Sequence, residues 1–336
     1  MIENRDVVVS SRVRLARNIQ NLPFGKKFNQ LHSDRIALEL YHIIGEKKSG
    51  FGLYRPSSPE SLDGSVLKEK RLISDDLLSN APLVSVILNE QETISIMIGE
   101  EDHIRIQCIL PGLKFGESFS AADKIDNSIA KNLPLAFCEK LGYLTACPTN
   151  LGTGLRASAM MFLPALSIYN SLEQCVQAIS RLNMAIRGVY GEGSDSSGYL
   201  YQLSNQRTLG LSEQDILQAV EHSVLKIVDA ERQAREILLK EGGASLKDKI
   251  YRAYGTLTHA YKIESSEFML FMALVKLGIY YGFFSLSDTD KFEKIMVEAQ
   301  PASLQSISGV VLSQQDRDVF RAKYISGMLK NILRVG

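Results

Sequence analysis

Arginines that alternate with apolar residues are the first sign of chemistry in this sequence. The segment SSRVRL places Arg12 and Arg14 on one face of a predicted β-strand and apolar residues on the other. Arg105 has the same setting within HIRIQC. Guanidinium groups bind phosphate oxygens bidentately, so two such strands in one sheet would form a groove suited to a polyphosphate. Solvated arginines on a half-exposed sheet are the alternative.

An acidic turn and two glycine-containing loops add further candidate groups. The turn Glu100–Asp102 precedes Arg105, where a carboxylate can orient a cationic substrate. The loop CPTNLGTGLRAS begins at Cys147, and we predict a strand before it and a helix containing Arg156 after it. The second loop, RGVYGEGSD, begins at Arg187. Backbone amides in such loops can approach an anion, although no GK[ST] marks a Walker A motif and each loop also fits a plain connection.

The predicted strands and helices that position these groups indicate an α+β front domain followed by an all-helical rear domain. Short polar connections join three predicted strands, at 83–88, 93–98 and 103–110, into an antiparallel meander. Spacing and capping signals predict helices over 33–44, 120–141, 212–241, 245–254, 265–278 and 314–333. We place the domains at residues 1–215 and 216–336.

Composition excludes several classes of function. Lys plus Arg and Asp plus Glu both number 38, which leaves no net field for nucleic acid or an acidic membrane. The most apolar stretch, 268–284, is too short for a membrane span. The four cysteines include no CxxC pair and the five histidines no HExxH, so we predict reduced thiols, no protein-held metal and a cytoplasmic protein.

Four motifs together resemble one family, the ATP:guanido phosphotransferases or phosphagen kinases. They are SSRVRLARN, EEDHIRIQ, CPTNLGTGLRAS and RGVYGEG, which occur in this order from Ser10 to Gly193. Within that family the chain is similar to the bacterial protein-arginine kinase branch. The resemblance implies an antiparallel sheet flanked by helices, of the glutamine synthetase type, and an ATP-dependent kinase that phosphorylates arginine side chains.

The resemblance also implies roles for individual residues. Glu101 and Glu192 would bind the substrate guanidinium and remove a proton, and Cys147 would help to hold the cation. ATP, with Mg²⁺ on the nucleotide, would contact the residues Ser10, Ser11, Arg12, Val13, Arg14, Arg71, Arg105, Arg156, Ala157, Ser158, Ala159, Met160, Arg187, Gly188, Val189, Tyr190, Gly191 and Glu192.

Three positions depart from the family's patterns. Asp195 is catalytic by position but stands where small-molecule phosphagen kinases have Glu, one methylene longer. Tyr190 replaces the Arg of those enzymes and is expected in the protein-arginine branch. Arg71 replaces a nucleotide-contacting His of that branch, so a cation is kept there.

A motif in the rear domain, RDVFRA, resembles the RDxxRA motif that binds phosphoarginine. Arg317 and Arg321 lie one helical turn apart and would grip the phosphate, while Asp318 would meet the guanidinium. By spacing alone, an exposed helix with internal salt bridges is the alternative.

The resemblance finally implies partners: a small zinc-binding activator of the McsA type, a stress-response repressor, and the ClpC–ClpP protease, which degrades the marked proteins. A homodimer or larger oligomer is expected. Two other functions stay open. A metabolic kinase for a small guanidino compound is one, although such kinases carry a helical domain before the SSRVR segment. The other, motivated by Asp195, is a weakly catalytic adaptor that binds phosphoarginine.

Overall fold

The structure, a computed structural model, describes residues 4–23, 28–45, 50–189 and 197–336. In these ranges, eight strands form one sheet in the order β2-β3-β4-β5-β1-β8-β10-β9. Its strands are β1 (Val8–Arg17), β2 (Phe51–Tyr54), β3 (Ser85–Asn89), β4 (Ile94–Ile98), β5 (Ile104–Pro111), β8 (Leu155–Phe162), β9 (Met184–Gly188) and β10 (Leu200–Asn205). Two short ladders, β6 (Phe137–Cys138) with β7 (Gly142–Tyr143) and β11 (Phe284–Leu286) with β12 (Leu333–Val335), lie outside it.

The helices of the described residues fall in two groups along the chain. The first comprises α1 (Gln30–Ile44), α2 (Leu62–Glu69), α3 (Asp75–Ser79), α4 (Phe115–Ala130), α5 (Pro164–Ile168) and α6 (Leu172–Ser180). The second comprises α7 (Glu213–His259), α8 (Ser265–Tyr280), α9 (Thr289–Glu298), α10 (Pro301–Ser308) and α11 (Gln314–Ile332). The α7 span is interrupted at Gly243, whose positive φ of 43° is non-helical.

The two faces of the sheet have different coverings around β1 and β5. Helix α4 packs against both strands and buries residues at three- and four-residue spacing, Phe115, Ser118, Ala122, Asp126 and Ile129. Its Ser118 lies against Cys108 of β5, so α4 covers the face formed by the apolar side chains of β5. The arginines of β1 and β5 therefore project from the opposite face.

The segment that contains α2 and α3 packs on the other part of the sheet. Leu72, Leu77 and Leu78 are buried against Val86 of β3 and Met97 of β4. Met97 pairs with Arg105 in the β4–β5 register and so shares its face. The α2–α3 segment is therefore held beside the arginine face by its own apolar residues.

The structure confirms the predicted fold class and the β3–β4–β5 meander, whose pairings are antiparallel. It corrects the helix predicted around Arg156, which is strand β8 and pairs with β1. It also corrects the helix predicted over 120–141, because α4 spans Phe115–Ala130 and the chain then turns into β6. The C-terminal region, predicted to be all-helical, also contains the β11–β12 ladder.

The chain folds as two compact units, each assembled from more than one stretch of sequence. The first contains Met1–Met161, Val176–Ile186 and Gln202–Lys226. The second contains Phe162–Cys175, Arg187–Tyr201 and Ile227–Gly336. The simpler division into 1–215 and 216–336 stays a prediction. Among the described residues, no helix has the length and apolar character that a membrane crossing requires.

Candidate active site

Strand register brings four guanidinium groups onto one face of the sheet. Arg14 lies directly opposite Arg156 of β8, and Arg12 opposite Ser158. On the other side, Ala16 pairs with Arg105 of β5. Paired residues in an antiparallel sheet share a face, so the four arginines form one cluster. Strand alternation predicted this for Arg12, Arg14 and Arg105, whereas Arg156 was expected on a helix. Like charges directly opposite each other in a ladder destabilise the sheet. A bound anion would offset this repulsion, so the arrangement indicates an anion-binding site.

The electrostatics of this arginine cluster point in the same direction. Burial, followed by the charges of Arg71, Arg156 and Arg105, lowers the pKa of Arg12 to about 9, so this guanidinium stays protonated at neutral pH. Burial likewise lowers the pKa of Arg14, with further lowering by its arginine neighbours and an opposing effect of Glu100. A bound polyphosphate would offset the mutual repulsion of these groups, so the cluster is suited to the triphosphate of ATP.

Polar side chains orient two of the clustered arginines. Arg12 donates from Nη2 to Oε1 of Gln202 at 2.7 Å and from Nε to Oγ of Ser158 at 3.3 Å. Arg156 donates from Nη2 to Oγ of Ser204 at 3.2 Å. Gln202 and Ser204 come from β10, a strand that the sequence reasoning did not recognise.

Glu100 lies in the acidic turn and was given no role by the sequence analysis. Its side chain is fully buried and accepts a hydrogen bond from Nη1 of Arg105 at 2.5 Å. Ser74, the N-cap of α3, donates to the same oxygen. The adjacent Glu101 is 43% exposed and only 3.3 Å from Nη2 of Arg105. Glu100 thus fixes Arg105, while Glu101 keeps access to an incoming group.

A cavity of about 200 Å³ opens beside the arginine cluster. Its walls combine cations, carboxylates, a thiol and small polar residues: Arg14, Ala16, Asp76, Glu101, Arg105, Cys147, Thr149, Asn150, Gly154 and Arg156. Cys147 is half-buried, and its Sγ lies 3.0 Å from Oγ1 of Thr149. The lining therefore combines groups suited to phosphate with groups suited to a cationic acceptor.

Arg17 holds the loop that carries Cys147 against β1. Its buried guanidinium binds Asp126 of α4 at 2.7–3.1 Å and donates from Nη1 to the carbonyl oxygen of Thr153 at 2.9 Å. It also stacks 3.5 Å from the ring centre of Tyr143. Gly154 follows Thr153 with a φ of +63°, and a Cβ there would approach the carbonyl oxygen of Ala16 at 2.6 Å. Glycine is needed at this close approach.

Several residues predicted to contact ATP are buried in the sheet. Ser11 donates to the carbonyl oxygen of Gly112 at 2.8 Å and accepts from the amide of Lys114 at 2.9 Å, so it bridges β1 to the start of α4. The side chains of Val13, Ala157, Ala159 and Met160 are buried as well, while Ser10 is half-buried. Only the backbone of most of these residues is suited to a nucleotide contact, and that role stays a prediction.

The remaining predicted nucleotide contacts lie in other parts of the chain. Arg71 is half-buried, adopts a left-handed φ of 62°, and faces the cluster closely enough to lower the pKa of Arg12. Arg187 is an exposed residue of edge strand β9, followed by the half-buried Gly188 and Val189. Tyr190, Gly191, Glu192 and Asp195 lie outside the described residues.

The RDVFRA motif lies in the first half of α11. Arg321 is fully buried and donates to the carbonyl oxygens of Ala299 and Ile263, each at 2.9 Å, and to Asp318 at 2.5 Å. Arg317 is half-buried, and its Nε has no hydrogen-bond partner among the described residues. Asp318 and Arg321 thus pair with each other, and phosphoarginine binding by the motif stays a prediction.

Proteins of known structure with a similar fold are guanidino kinases. A lombricine kinase aligns with a TM-score of 0.58 and 26% identity over 71% of this chain and 68% of that one. A duplicated taurocyamine kinase from Schistosoma mansoni shares the fold at a TM-score of 0.58 and 22% identity, covering 80% of this chain and 40% of that one. The family model for the ATP:guanido phosphotransferase C-terminal catalytic domain matches residues 35–234. The chain belongs to the ATP:guanido phosphotransferase family.

Further matches are to one branch of that family. Residues 243–334 match the model of the protein-arginine kinase McsB C-terminal domain. A protein-arginine kinase of Caldanaerobacter subterraneus subsp. tengcongensis is 44% identical over 97% of this chain and 98% of its own length. One from Geobacillus stearothermophilus is 42% identical over 97% of this chain and 91% of its own. The branch predicted from the four motifs is confirmed, and the chain is an enzyme of the phosphotransferase class.

Proposed function

We propose that this chain transfers the γ-phosphoryl group of ATP to arginine side chains of proteins. The observation that carries the proposal is the convergence of three guanidinium groups, the carboxylate of Glu101 and the thiol of Cys147 on one cavity. Cations suit the phosphoryl donor, whereas a carboxylate and a thiol suit a cationic acceptor. Few other reactions need both sets of groups within about 200 Å³.

On the donor side, Arg14, Arg105 and Arg156 would hold the phosphates of ATP. Phosphoryl transfer proceeds through a loose transition state whose charge lies on phosphate oxygens, so catalysis rests on positioning and charge stabilisation. Arg105 is fixed by Glu100, which keeps one donor from moving away during the reaction. Mg²⁺ would arrive with the nucleotide, bound to the phosphate oxygens that these arginines also contact.

On the acceptor side, a nitrogen of the substrate guanidinium attacks the γ-phosphorus. The P–N bond forms, the bond to the ADP oxygen breaks, and one proton leaves the attacking nitrogen. An arginine side chain is protonated at neutral pH, so a base must take that proton. Glu101 is suited to this role because it is accessible and its 3.3 Å contact with Arg105 is easily exchanged. The sulfur of Cys147 would help to hold the cation.

The choice of a protein substrate is supported by the relatives. Those that match over nearly the whole chain are called protein-arginine kinases, and residues 243–334 match the C-terminal domain model of that branch. The proposed RDVFRA site on α11 would bind phosphoarginine on a partner or a sister subunit. The two alternative functions are a phosphoarginine-binding adaptor and a kinase for a small guanidino compound.

The cellular role that we propose is based on the family resemblance alone. We propose that phosphorylation marks proteins for a ClpC–ClpP protease in the cytoplasm during stress. An McsA-type activator and a stress-response repressor would be partners, and the enzyme would act as a homodimer or larger assembly.

The test is transfer from γ-labelled ATP with Mg²⁺ to a generic protein, beside free L-arginine. Acid-labile label on the protein, but not on free arginine, is the expected result, because a phosphoramidate hydrolyses in acid whereas a phosphate ester survives. Label on free arginine would favour the metabolic kinase. Absence of label, even with an activator present, would favour the adaptor.

A further inference from the structure

A buried polar pair lies next to the proposed substrate-binding residues without lining their cavity. Asn18, at the end of β1, and Asp102, in the acidic turn, are 0% and 1% exposed. Nδ2 of Asn18 donates to Oδ1 of Asp102 at 2.7 Å, and the same oxygen accepts from the backbone amide of Ala146 at 2.7 Å. The pair therefore connects three segments of the first unit.

The chain positions of these contacts are informative. Asp102 directly follows Glu101, and Ala146 directly precedes Cys147. Adjacent Cα atoms are about 3.8 Å apart, so one carboxylate oxygen connects points one residue away from each proposed guanidinium-binding group. Any shift of this hydrogen bond would change the separation of Glu101 and Cys147.

Asn18 strengthens the connection on both sides. Its Nδ2 also donates to the carbonyl oxygen of Leu144 at 3.0 Å, and its Oδ1 accepts from the amide of His103 at 2.8 Å. One amide side chain thus binds Asp102, the backbone of the next residue, His103, and the segment that leads to Cys147. The three hydrogen bonds use both donor hydrogens and the acceptor of the amide.

The energetics argue against a purely structural role for this pair. A buried carboxylate is costly unless it is well satisfied. Oδ2 of Asp102 is buried and has no hydrogen-bond partner among the described residues. A small apolar side chain would avoid this cost, so we infer that Asp102 is kept for the two hydrogen bonds that its Oδ1 accepts.

We propose that Asn18 and Asp102 are positioning residues that set the separation between Glu101 and Cys147. The inference rests on the proposed function, in which these two groups hold the arginine of the substrate. Catalysis depends on such placement, since a displacement of about 1 Å can lower a rate about 100-fold.

The test compares Asn18→Ala with a matched control, Asn89→Ala. Asn89 is also buried and makes four hydrogen bonds, to Gln91, Thr93 and Ile94, in the turn between β3 and β4. We expect Asn18→Ala to lower kcat for protein phosphorylation about 100-fold while the Kd for ATP stays within about twofold. Asn89→Ala should keep kcat within about threefold of wild type, although it loses thermal stability.

A second readout follows the thiol itself. The rate of Cys147 alkylation, measured by mass spectrometry against Cys138 in the same chain, should change several-fold in Asn18→Ala but not in Asn89→Ala. Asp102→Asn keeps an acceptor for the Ala146 amide and should retain at least a tenth of wild-type kcat, whereas Asp102→Ala should not. If Asn18→Ala fails to fold, the comparison of Asp102→Asn with Asp102→Ala still tests the proposal.

Two results would overturn the inference. One is a kcat for Asn18→Ala within threefold of the Asn89→Ala control, and the other is equal loss of activity in Asp102→Asn and Asp102→Ala. The variants Glu101→Gln and Cys147→Ser separate this failure from failure of the proposed function. If the wild type places no acid-labile label on protein, the proposed function fails. If both variants leave protein phosphorylation unchanged, their assignment to the substrate guanidinium fails. If both lower it and Asn18→Ala does not, only the positioning role fails.

Discussion

Replacing Glu100 by Gln should unbalance the arginine cluster while leaving its shape intact. The fully buried carboxylate binds Arg105 at 2.5 Å, and it opposes the charges that lower the pKa of Arg14. Removing one partner of a buried ion pair costs about 3–5 kcal/mol. Arg105 keeps its half-exposed contact with Glu101, worth up to about 1 kcal/mol. The local unfolding free energy should therefore fall by about 2–4 kcal/mol.

The assay for Glu100→Gln is hydrogen exchange of the β5 amides, with and without saturating ATP. Local exchange is preferable to global melting, because the two compact units can unfold separately. A loss of about 2–4 kcal/mol accelerates exchange roughly 30- to 1,000-fold. ATP should stabilise the variant more than the wild type, since its phosphates replace the missing negative charge. At saturation, kcat should still be lower, because Arg105 has lost its anchor.

The matched control is Glu117→Gln, since Glu117 is exposed and forms a surface pair with Lys114 at 3.1 Å. In Glu117→Gln, the free energy of local opening measured by exchange of the β5 amides should change by less than about 0.5 kcal/mol. The reasoning about Glu100 is refuted if the two variants exchange alike. It is equally refuted if ATP protects Glu100→Gln no more than it protects the wild type.

Three further predictions follow from charge and burial. Arg14→Met should raise the melting temperature by relieving repulsion with Arg156, yet lower kcat/KM for ATP at least about 100-fold; a lower melting temperature would contradict this. Burial lowers the pKa of His103, whose Nδ1 accepts from the Ile19 amide. Folding thus favours the neutral ring, and the free energy of unfolding should fall as pH drops from about 6.5 through the lowered pKa. In thermal melts, His103→Gln should show a weaker dependence of stability on pH in this range. Glu231→Gln should destabilise the second unit by about 3–5 kcal/mol, because the fully buried Arg235 loses the negative charge of its 2.7 Å partner. Urea unfolding should show recovery in Glu231→Leu/Arg235→Met.

The arginine cluster was predictable because strand alternation is a local property. Arg12 and Arg14 share a face whatever their neighbours are, and the short connections between β3, β4 and β5 limit how those strands can pair. The register that sets Arg14 against Arg156 is not local, since it joins residues far apart in the chain. Only the family motifs connected them before the structure did.

Strand β8 shows why the helix prediction failed. Its sequence, LRASAMMF, is rich in Leu, Ala and Met, which favour helices. The strand lies between β1 and β10 in the middle of the sheet and is almost entirely buried. A central strand buried on both faces lacks polar alternation, so tertiary burial overrides local propensity here.

The roles within the acidic turn were only partly predictable. Glu100 and Glu101 are adjacent and chemically identical, yet one is fully buried with Arg105 and the other is accessible. Burial depends on the α2–α3 segment, which supplies Ser74 from outside the motif. Asn18 and Gln202 were missed for the same reason, since their partners come from distant strands and turns.

The most direct test of the central claim is ³¹P NMR of a target protein after incubation with ATP, Mg²⁺ and either wild type or Glu101→Gln. The account predicts a phosphoramidate resonance with wild type, lost on acid treatment, and a large reduction with Glu101→Gln. A phosphate-ester resonance, or equal phosphoramidate formation by the two proteins, would contradict the assignment of this cavity as the site where ATP meets a protein arginine.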